Sequence, residues 1–398
     1  MNSLAPGLII AVAIMLITAL TLIPAVIAIL SKVMFWPFGP GHERDRSMFA
    51  GIGRGVARRP VITATAIGVL LIVLAVFGSG YKATYDTLGE MPSDTPSQQA
   101  FDTLAASLPP GELSPTQVYV QADGPIPQNE LSTLTTDLSQ VDGVAAVTPP
   151  RVSSDGTAAV VNVVLADSPF ATQSLDTIDD NVRPVAHQAV PGARVAVGGQ
   201  TATLADVRSQ LHSDMRHVFP VAVVIVWVIL GALLLAVLAP VNLIVSVFVT
   251  FGATLGALVI VFQHLLGYAG IDFSTPIVLY LFVVAIGTDY NILMAERVRE
   301  TFVAGAAPRE AARLAITKNG PTAAAAGVIL ALTFASLTLT GLRNLEELGA
   351  GVAIGVVLAS CVMAPMLVPA LSVIQRRAFW WPTRPSTPAD TGEQQRTG

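Results

Sequence analysis

Seven stretches of apolar sequence, each close to twenty residues long, set the terms on which this chain can fold. They fall at 8–30, 61–78, 218–238, 243–262, 274–294, 323–340 and 348–373. A helix needs about 20 consecutive apolar residues to cross the hydrocarbon core of a bilayer. Within that core every backbone N–H and C=O must be satisfied inside the segment, which leaves the helix as the economical solution. The sequence therefore predicts a polytopic α-helical membrane protein with seven transmembrane helices. Composition agrees, since only 12% of the 398 residues are charged, against about 25% in soluble domains. The run at 8–30 lacks a basic leader and is too long for the apolar part of a signal peptide, so it is expected to remain as a membrane helix. Cys361 is the one cysteine and has no partner within the chain for a disulfide.

Basic residues suggest an orientation. The segment 31–60 carries six Lys/Arg, 295–320 carries five and the tail after residue 373 carries four. The short loops 263–273 and 341–347 carry only Arg343 between them. By the positive-inside rule the first three segments are cytoplasmic. Seven spans then alternate without conflict, with the N-terminus outside, the C-terminus cytoplasmic and the long stretch 80–217 outside. The expected divisions are a membrane helix at 1–30, a cytoplasmic linker at 31–60, a membrane helix at 61–79, a soluble domain at 80–217, a five-helix bundle at 218–374 and a cytoplasmic tail at 375–398. Within the bundle, 297–318 alternates charged and apolar residues and is expected to lie as an amphipathic helix on the cytoplasmic surface.

The stretch 80–217 has ordinary soluble composition and holds 16 of the 27 acidic residues. Strand-like runs at 116–121, 144–148, 158–165 and 194–197 alternate with helical spacing at 129–141 and 174–189. That order is β-α-β-β-α-β, a split βαβ or ferredoxin-like sandwich. Turn signals at Asp123-Gly124, Asp155-Gly156 and Pro191-Gly192 punctuate it. Asp176, Asp179 and Asp180 are expected to form a solvated helix face.

An internal repeat bears on how the chain is organised. Residues 23–37 read IPAVIAILSKVMFWP and residues 368–382 read VPALSVIQRRAFWWP. Each has an apolar helix carrying Pro-Ala, then basic residues, then aromatic-Trp-Pro. Duplication is common in transporter folds. On that basis the first helix is expected to correspond to the last helix of a preceding unit, so that the chain holds one full repeat and the end of another.

One carboxylate, Asp289, lies inside an apolar span. An Asp near the middle of a membrane helix costs about 2.5–3.5 kcal/mol even on lenient insertion scales. Such groups face a polar interior and mark ion or proton pathways, so Asp289 is expected to relay protons. Its helix face carries Phe282, Ala285, Ile286, Ile292 and Leu293, which predicts a mostly apolar pocket around it. Gly287 and Thr288 are expected to let neighbouring helices pack closely, as are Gly252, Gly256, Gly351 and Gly355. Thr333 and Ser336 are candidates for a hydrated path beside Asp289, although hydroxyls that bond back to their own helix are commoner.

The layout of one helix, a large external domain and five helices resembles the C-terminal half of an MMPL (mycobacterial membrane protein large) transporter of the RND superfamily. The specific marks are Gly287-Thr288-Asp289-Tyr290, the following Arg297, and the closing Phe379-Trp380-Trp381-Pro382. Where the family carries a small or hydroxylic residue before the arginine, this chain has Glu296. The resemblance implies proton-driven export of lipids or other amphiphiles across the bacterial inner membrane. It also implies that two Asp-Tyr pairs meet at the membrane centre, one from each half. Tyr290 lies about 100° around the helix from Asp289 and is expected to reach toward a facing helix, completing such a crossed pair. With one pair present, activity is expected from a homo-oligomer or beside a separate N-terminal half-transporter. The competing expectation is a non-transporting scaffold or binding subunit, or a truncated remnant of a split transporter.

Other chemistry has no support. There is no G-x-x-x-x-G-K-[ST] loop, no Ser-His-Asp or Cys-His grouping and no cluster with metal-ligand spacing. The chain is not expected to be an enzyme, to hold a cofactor or metal, or to bind nucleic acid.

Overall fold

The structure, a computed structural model, describes residues 4–34, 48–86, 95–108 and 110–382. Phe35-Trp36-Pro37 of the repeat, much of the expected linker and the tail beyond residue 382 lie outside the described residues. Residues 1–47 and 48–398 are separate compact units. The first holds α1 (Leu4–Met34), an apolar helix with Pro24 in its interior.

The second unit opens with α2 (Met48–Arg58), a short helix whose Val56 packs on Ile316 and Ala370. α3 (Pro60–Gly78) starts on a proline, at a position where a missing N–H costs nothing. The chain leaves it through β1 (Ala83–Thr84) and passes α4 (Pro96–Ala105). It then builds β2 (Thr116–Gln121), α5 (Gln128–Ser139), β3 (Val144–Val147), β4 (Arg151–Val152), β5 (Ala158–Leu165), α6 (Thr172–Asp176), α7 (Arg183–Ala189) and β6 (Arg194–Gly198). The widened turns at 177–182 make α6 and α7 one continuous helix.

The sheet has the spatial order β3-β5-β2-β6, antiparallel throughout, with β4 added beside β5. Alternation decides which face is covered. Val118 and Val120 on β2, with Val161, Val163 and Leu165 on β5, point to one side. There they meet Leu131, Leu134 and Leu138 of α5 and Leu175, Ile178, Val182 and Ala186 of the second helix.

The remaining helices are α8 (Gln200–Leu234), α9 (Leu238–Leu258, continuing to residue 265), α10 (Thr275–Val303), α11 (Pro308–Ala335) and α12 (Arg343–Val357). Before α10 comes β7 (Ile271–Asp272), which pairs in parallel with β1. α12 continues through a wider-wound stretch, 358–367, into α13 (Val368–Gln375). Pro365 lies in that stretch, and a proline inside a helix removes a backbone donor. The described residues thus hold seven helices long and apolar enough to cross a membrane.

Two expected elements differ. Residues 297–318 do not form a separate surface helix. α10 runs unbroken to Val303, a turn follows at 304–307, and α11 starts at Pro308 and continues past Pro321 into its apolar half. Buried Val298, Phe302, Ala311 and Ala315 hold these ends against Phe379 and Trp380, so the apolar half of the pattern meets protein. The run at 218–238 is the lower part of a longer helix. α8 begins in the sheet domain, where Ala202 and Ala205 join its core, and extends unbroken to Leu234.

Small residues set the closest helix contacts. A Cβ on Gly256 would lie 1.7 Å from the Leu74 carbonyl oxygen, and one on Gly252 would lie 3.1 Å from Ala75 Cβ. α3 and α9 therefore touch backbone to backbone. On α12, Gly351 and Gly355 instead make room for side chains, Leu258 at the first and Val283 and Thr254 at the second.

Candidate functional site

α10 presents two unlike faces. Leu279, Tyr280, Val283, Gly287, Asn291 and Met294 are buried against neighbouring helices. Leu281, Ala285, Asp289, Leu293 and Glu296 form the opposite stripe, and all five are exposed. Leu281 and Leu293 are 58% and 38% exposed. Asp289 therefore sits on a mainly apolar face that the other described helices of this unit leave uncovered. It has no hydrogen-bond or ion-pair partner among the described residues. This corrects the expected enclosed pocket. Phe282, Ile286 and Ile292 flank Asp289 and are half-buried, but no other described helix of this unit closes over the carboxylate.

Tyr290 departs from expectation in the other direction. One residue further around the helix, its ring is half-buried among the cores built on α9, α10 and the last helix. Its hydroxyl points at α11, 3.6 Å from where a Gly327 Cβ would be. Ser360, on the wider-wound stretch, occupies that same spot, with its Oγ only 1.9 Å from the ideal Cβ. Gly327 is required there because nothing larger leaves room for Ser360. Tyr290 thus faces into its own bundle instead of out toward a partner.

A polar seam runs behind the pair. Ser246, Thr250 and Thr254 repeat every four residues along α9, and each donates to the carbonyl of the preceding turn, at 2.7–2.8 Å. Thr250 also reaches the Met363 sulfur at 3.0 Å. Asn291 is fully buried, its amide 3.4 Å from the Leu243 carbonyl and its Oδ1 without a hydrogen-bond partner. Neither Asn291 nor Ser360 stood out in the sequence, although Asn291 directly follows the Asp-Tyr pair. A polar side chain adjacent to an intramembrane acid was the available signal.

The remaining candidates separate. Gly287 packs on Met363 and Val247 at 3.4–3.5 Å from its ideal Cβ, an ordinary contact that an alanine also meets. Thr288 lines a crevice of about 250 Å3 between α8, α9 and α10, walled by Val223, Val226, Val247, Phe248 and Tyr280. Thr333 and Ser336 are exposed, and their hydroxyls bond back to Ile329 and Thr333 carbonyls at 2.9 and 2.7 Å. The commoner of the two readings holds for them. Thr333 lies six residues beyond Gly327, about 9 Å along α11, so it belongs to a different level from the Tyr290 hydroxyl.

Asp176 and Asp180 are exposed, as a solvated helix face requires, and Asp179 is half-buried, but the face also carries ion pairs. Arg183 pairs with Asp179 at 2.6 Å and Asp206 at 2.5 Å, while Arg208 pairs with Asp176 at 2.7 Å and Asp179 at 3.0 Å. Asp176 and Asp179 therefore bolt the α6–α7 helix to the root of α8. Their partners come from 4 to 32 residues away, and only the Asp179–Arg183 spacing is visible as a local pattern.

Seven helices long and apolar enough to cross a membrane, among the described residues, define the class as a multi-pass membrane protein. The particular family follows from comparison. The model of the MMPL family matches residues 1–63 and 90–391, and the chain belongs to that family. The Streptomyces coelicolor protein SCO5905 is 34% identical over 97% of this chain and 47% of its own length. The apo-petrobactin exporter of Bacillus anthracis is 30% identical over 94% of this chain and 53% of its own. The mycolic acid-containing lipids exporter MmpL11 of Mycolicibacterium smegmatis is 26% identical over 95% and 42% respectively. The chain spans about half the length of these relatives.

Proposed function

We propose that this chain is one half of a proton-driven exporter of lipids or other amphiphiles in the bacterial plasma membrane. The observation that carries the reading is the bare face of α10. An ionisable group in a membrane span is costly toward lipid, and Leu281, Ala285 and Leu293 beside it form a surface suited to helix packing. A second bundle, from another copy of this chain or from a separate N-terminal half, would enclose Asp289. Relatives named as exporters of apo-petrobactin and of mycolic acid-containing lipids support transport by this family. The apolar crevice at Thr288 favours a cargo with a hydrocarbon part.

The sheet domain is a ferredoxin-like porter domain in this account. Its β-α-β-β-α-β order and antiparallel spatial order β3-β5-β2-β6 support that assignment. It faces outward, with the C-terminus cytoplasmic, on the distribution of arginine and lysine. Asp289 takes a proton from outside and becomes neutral, which removes the cost of packing a charge between two bundles. Release of the proton to the cytoplasm restores the charge, and α10 and α8 shift against their neighbours. Both helices begin at the sheet domain, so the domain moves with them and passes cargo outward.

The test uses inside-out vesicles from cells producing the native assembly. Export of a fluorescent phospholipid analogue should require an imposed pH gradient and stop on adding a protonophore. Gradient-independent export contradicts proton coupling. No export from a verified assembly favours a scaffold or binding subunit.

A further inference from the structure

The domain end of the bundle contains a buried ionic cluster for which proton binding at Asp289 has no use. Glu347, in the first turns of α12, is fully buried. Its Oε2 accepts the Asp272 backbone N–H at 2.7 Å, and its Oε1 accepts Arg343 Nε at 3.1 Å. Arg343 also donates to the Gly270 carbonyl, and its guanidinium lies 4.1 Å above the Tyr268 ring. Tyr81 donates to the Asp272 carbonyl at 3.4 Å, and the Asp272 carboxylate accepts from Ser274. One carboxylate thus clasps the backbone that pairs with β1 and leads into α10.

That backbone also enters the sheet domain. Ile271 N–H donates to the Lys82 carbonyl at 2.9 Å and Phe273 N–H to the Thr84 carbonyl at 3.1 Å. The Phe273 ring stacks on Tyr85 at 5.0 Å, and Tyr85 belongs to the domain core. A Cβ on Gly270 would sit 2.9 Å from the Lys82 carbonyl oxygen, so the two strands approach as closely as glycine permits. Three residues after Asp272, α10 begins, and it runs unbroken to Asp289, about 21 Å further on. An axial shift or rotation of α10 must therefore pass through this joint, with α12 as its abutment.

We infer that Glu347 and Arg343 are positioning residues that couple α10 to the sheet domain, so that proton-driven movement at Asp289 becomes movement of the domain. This rests on the transport reading above. A burial argument alone gives a weaker role, since a buried ion pair is poor evidence of stability and is better explained by the specificity of an arrangement. Here the arrangement joins three elements: the strand leaving α3, the start of α10 and the start of α12.

The test compares wild type, Asp289→Asn and Glu347→Ala in vesicles holding the native assembly. Proton uptake is followed with a pH-sensitive dye and export with the fluorescent phospholipid. Asp289→Asn should lose both. Glu347→Ala should retain at least half of the Asp289-dependent proton uptake while export falls at least tenfold. Export at the wild-type rate, or proportional loss of both signals, overturns the inference. If Glu347→Ala does not accumulate, Phe273→Ala probes the same joint from the domain side, with the same split expected. A second readout needs no transport. In a Cys361→Ser background, spin labels at Asn129→Cys on α5 and Ala304→Cys, exposed at the far end of α10, report the distance between domain and helix. The Glu347→Ala distribution should broaden relative to the labelled parent. A distribution as narrow as the parent's overturns the joint even where the transport reading stands, and broadening without export in the parent sinks the transport reading alone.

Discussion

Replacing Gly327 by alanine places a methyl group where Ser360 already is. The new Cβ would lie 2.3 Å from Ser360 Cβ and 1.9 Å from its Oγ. Rotating the hydroxyl away relieves the shorter contact only. The Cβ–Cβ contact must open from 2.3 Å to the 3.4 Å of ordinary packing, a separation of about 1.1 Å that only movement of α11 against the last helix can provide. A gap of about 0.5–1 Å already forfeits a quarter to a half of the dispersion energy of the atoms lining it. Overpacking of this kind costs about 1–3 kcal/mol, and this site lies at the upper end because both partners sit on helix backbones. Alanine recovers about 0.5–1 kcal/mol over glycine within a helix. The net expectation is a loss of about 2 kcal/mol, roughly thirtyfold in the folding equilibrium. Ser360→Gly removes the obstructing Cβ, so the double variant should return to within about 1 kcal/mol of wild type, with a coupling energy of about 2 kcal/mol. Thermal unfolding in mild detergent, run as a double-mutant cycle, reads this directly. Gly327→Ala as stable as wild type, or strictly additive variants, would refute the close approach. Because the Tyr290 hydroxyl borders the same spot, export should fall with Gly327→Ala and recover in the double variant.

Two further outcomes concern the domain and its joint. Burial, and secondarily the nearby Tyr85, Asp272 and Glu347, raise the Tyr81 phenol above its ordinary value of about 10. The folded state therefore binds that proton more tightly than the unfolded state. The stabilisation is complete below about pH 10 and is lost as pH rises toward the folded value. Tyr81→Phe should unfold at a higher pH than wild type in alkaline titration followed by circular dichroism, and an unchanged alkaline midpoint would remove Tyr81 as the cause. Arg208→Ala breaks the links to Asp176 and Asp179, which are partly solvated, so it should cost about 1 kcal/mol and less at high salt. Limited proteolysis between residues 172 and 208 at low and high salt checks this, and salt-independent protection argues against an ionic bolt.

How much of this was readable beforehand depended on the range of the interaction. The spans were legible because a bilayer imposes a length and a polarity on each one separately. The strands of the sheet domain were legible because alternation and Gly turns are local. Residues 297–318 misled because amphipathic spacing is the same whether the apolar face meets lipid headgroups or Phe379 and Trp380. Asp289 was recognisable as unusual from its span, but whether it is covered depends on which helices pack around α10, and no local pattern encodes that. The angle between Tyr290 and Asp289 predicts a reach toward a facing helix, but not which one; the Tyr290 hydroxyl meets α11 of its own bundle beside Gly327 and Ser360. The Glu347–Asp272 contact joins residues 75 apart. Only its Arg343–Glu347 half, at i and i+4, was visible as helix spacing.

The central claim is that a carboxylate on the open face of α10 carries the proton that drives export. Lipid-analogue export under an imposed pH gradient, compared between wild type and Asp289→Asn at matched abundance and assembly size, tests it most directly. The account predicts loss of gradient-driven export in the variant, with the assembly intact. Export by Asp289→Asn at the wild-type rate would contradict it.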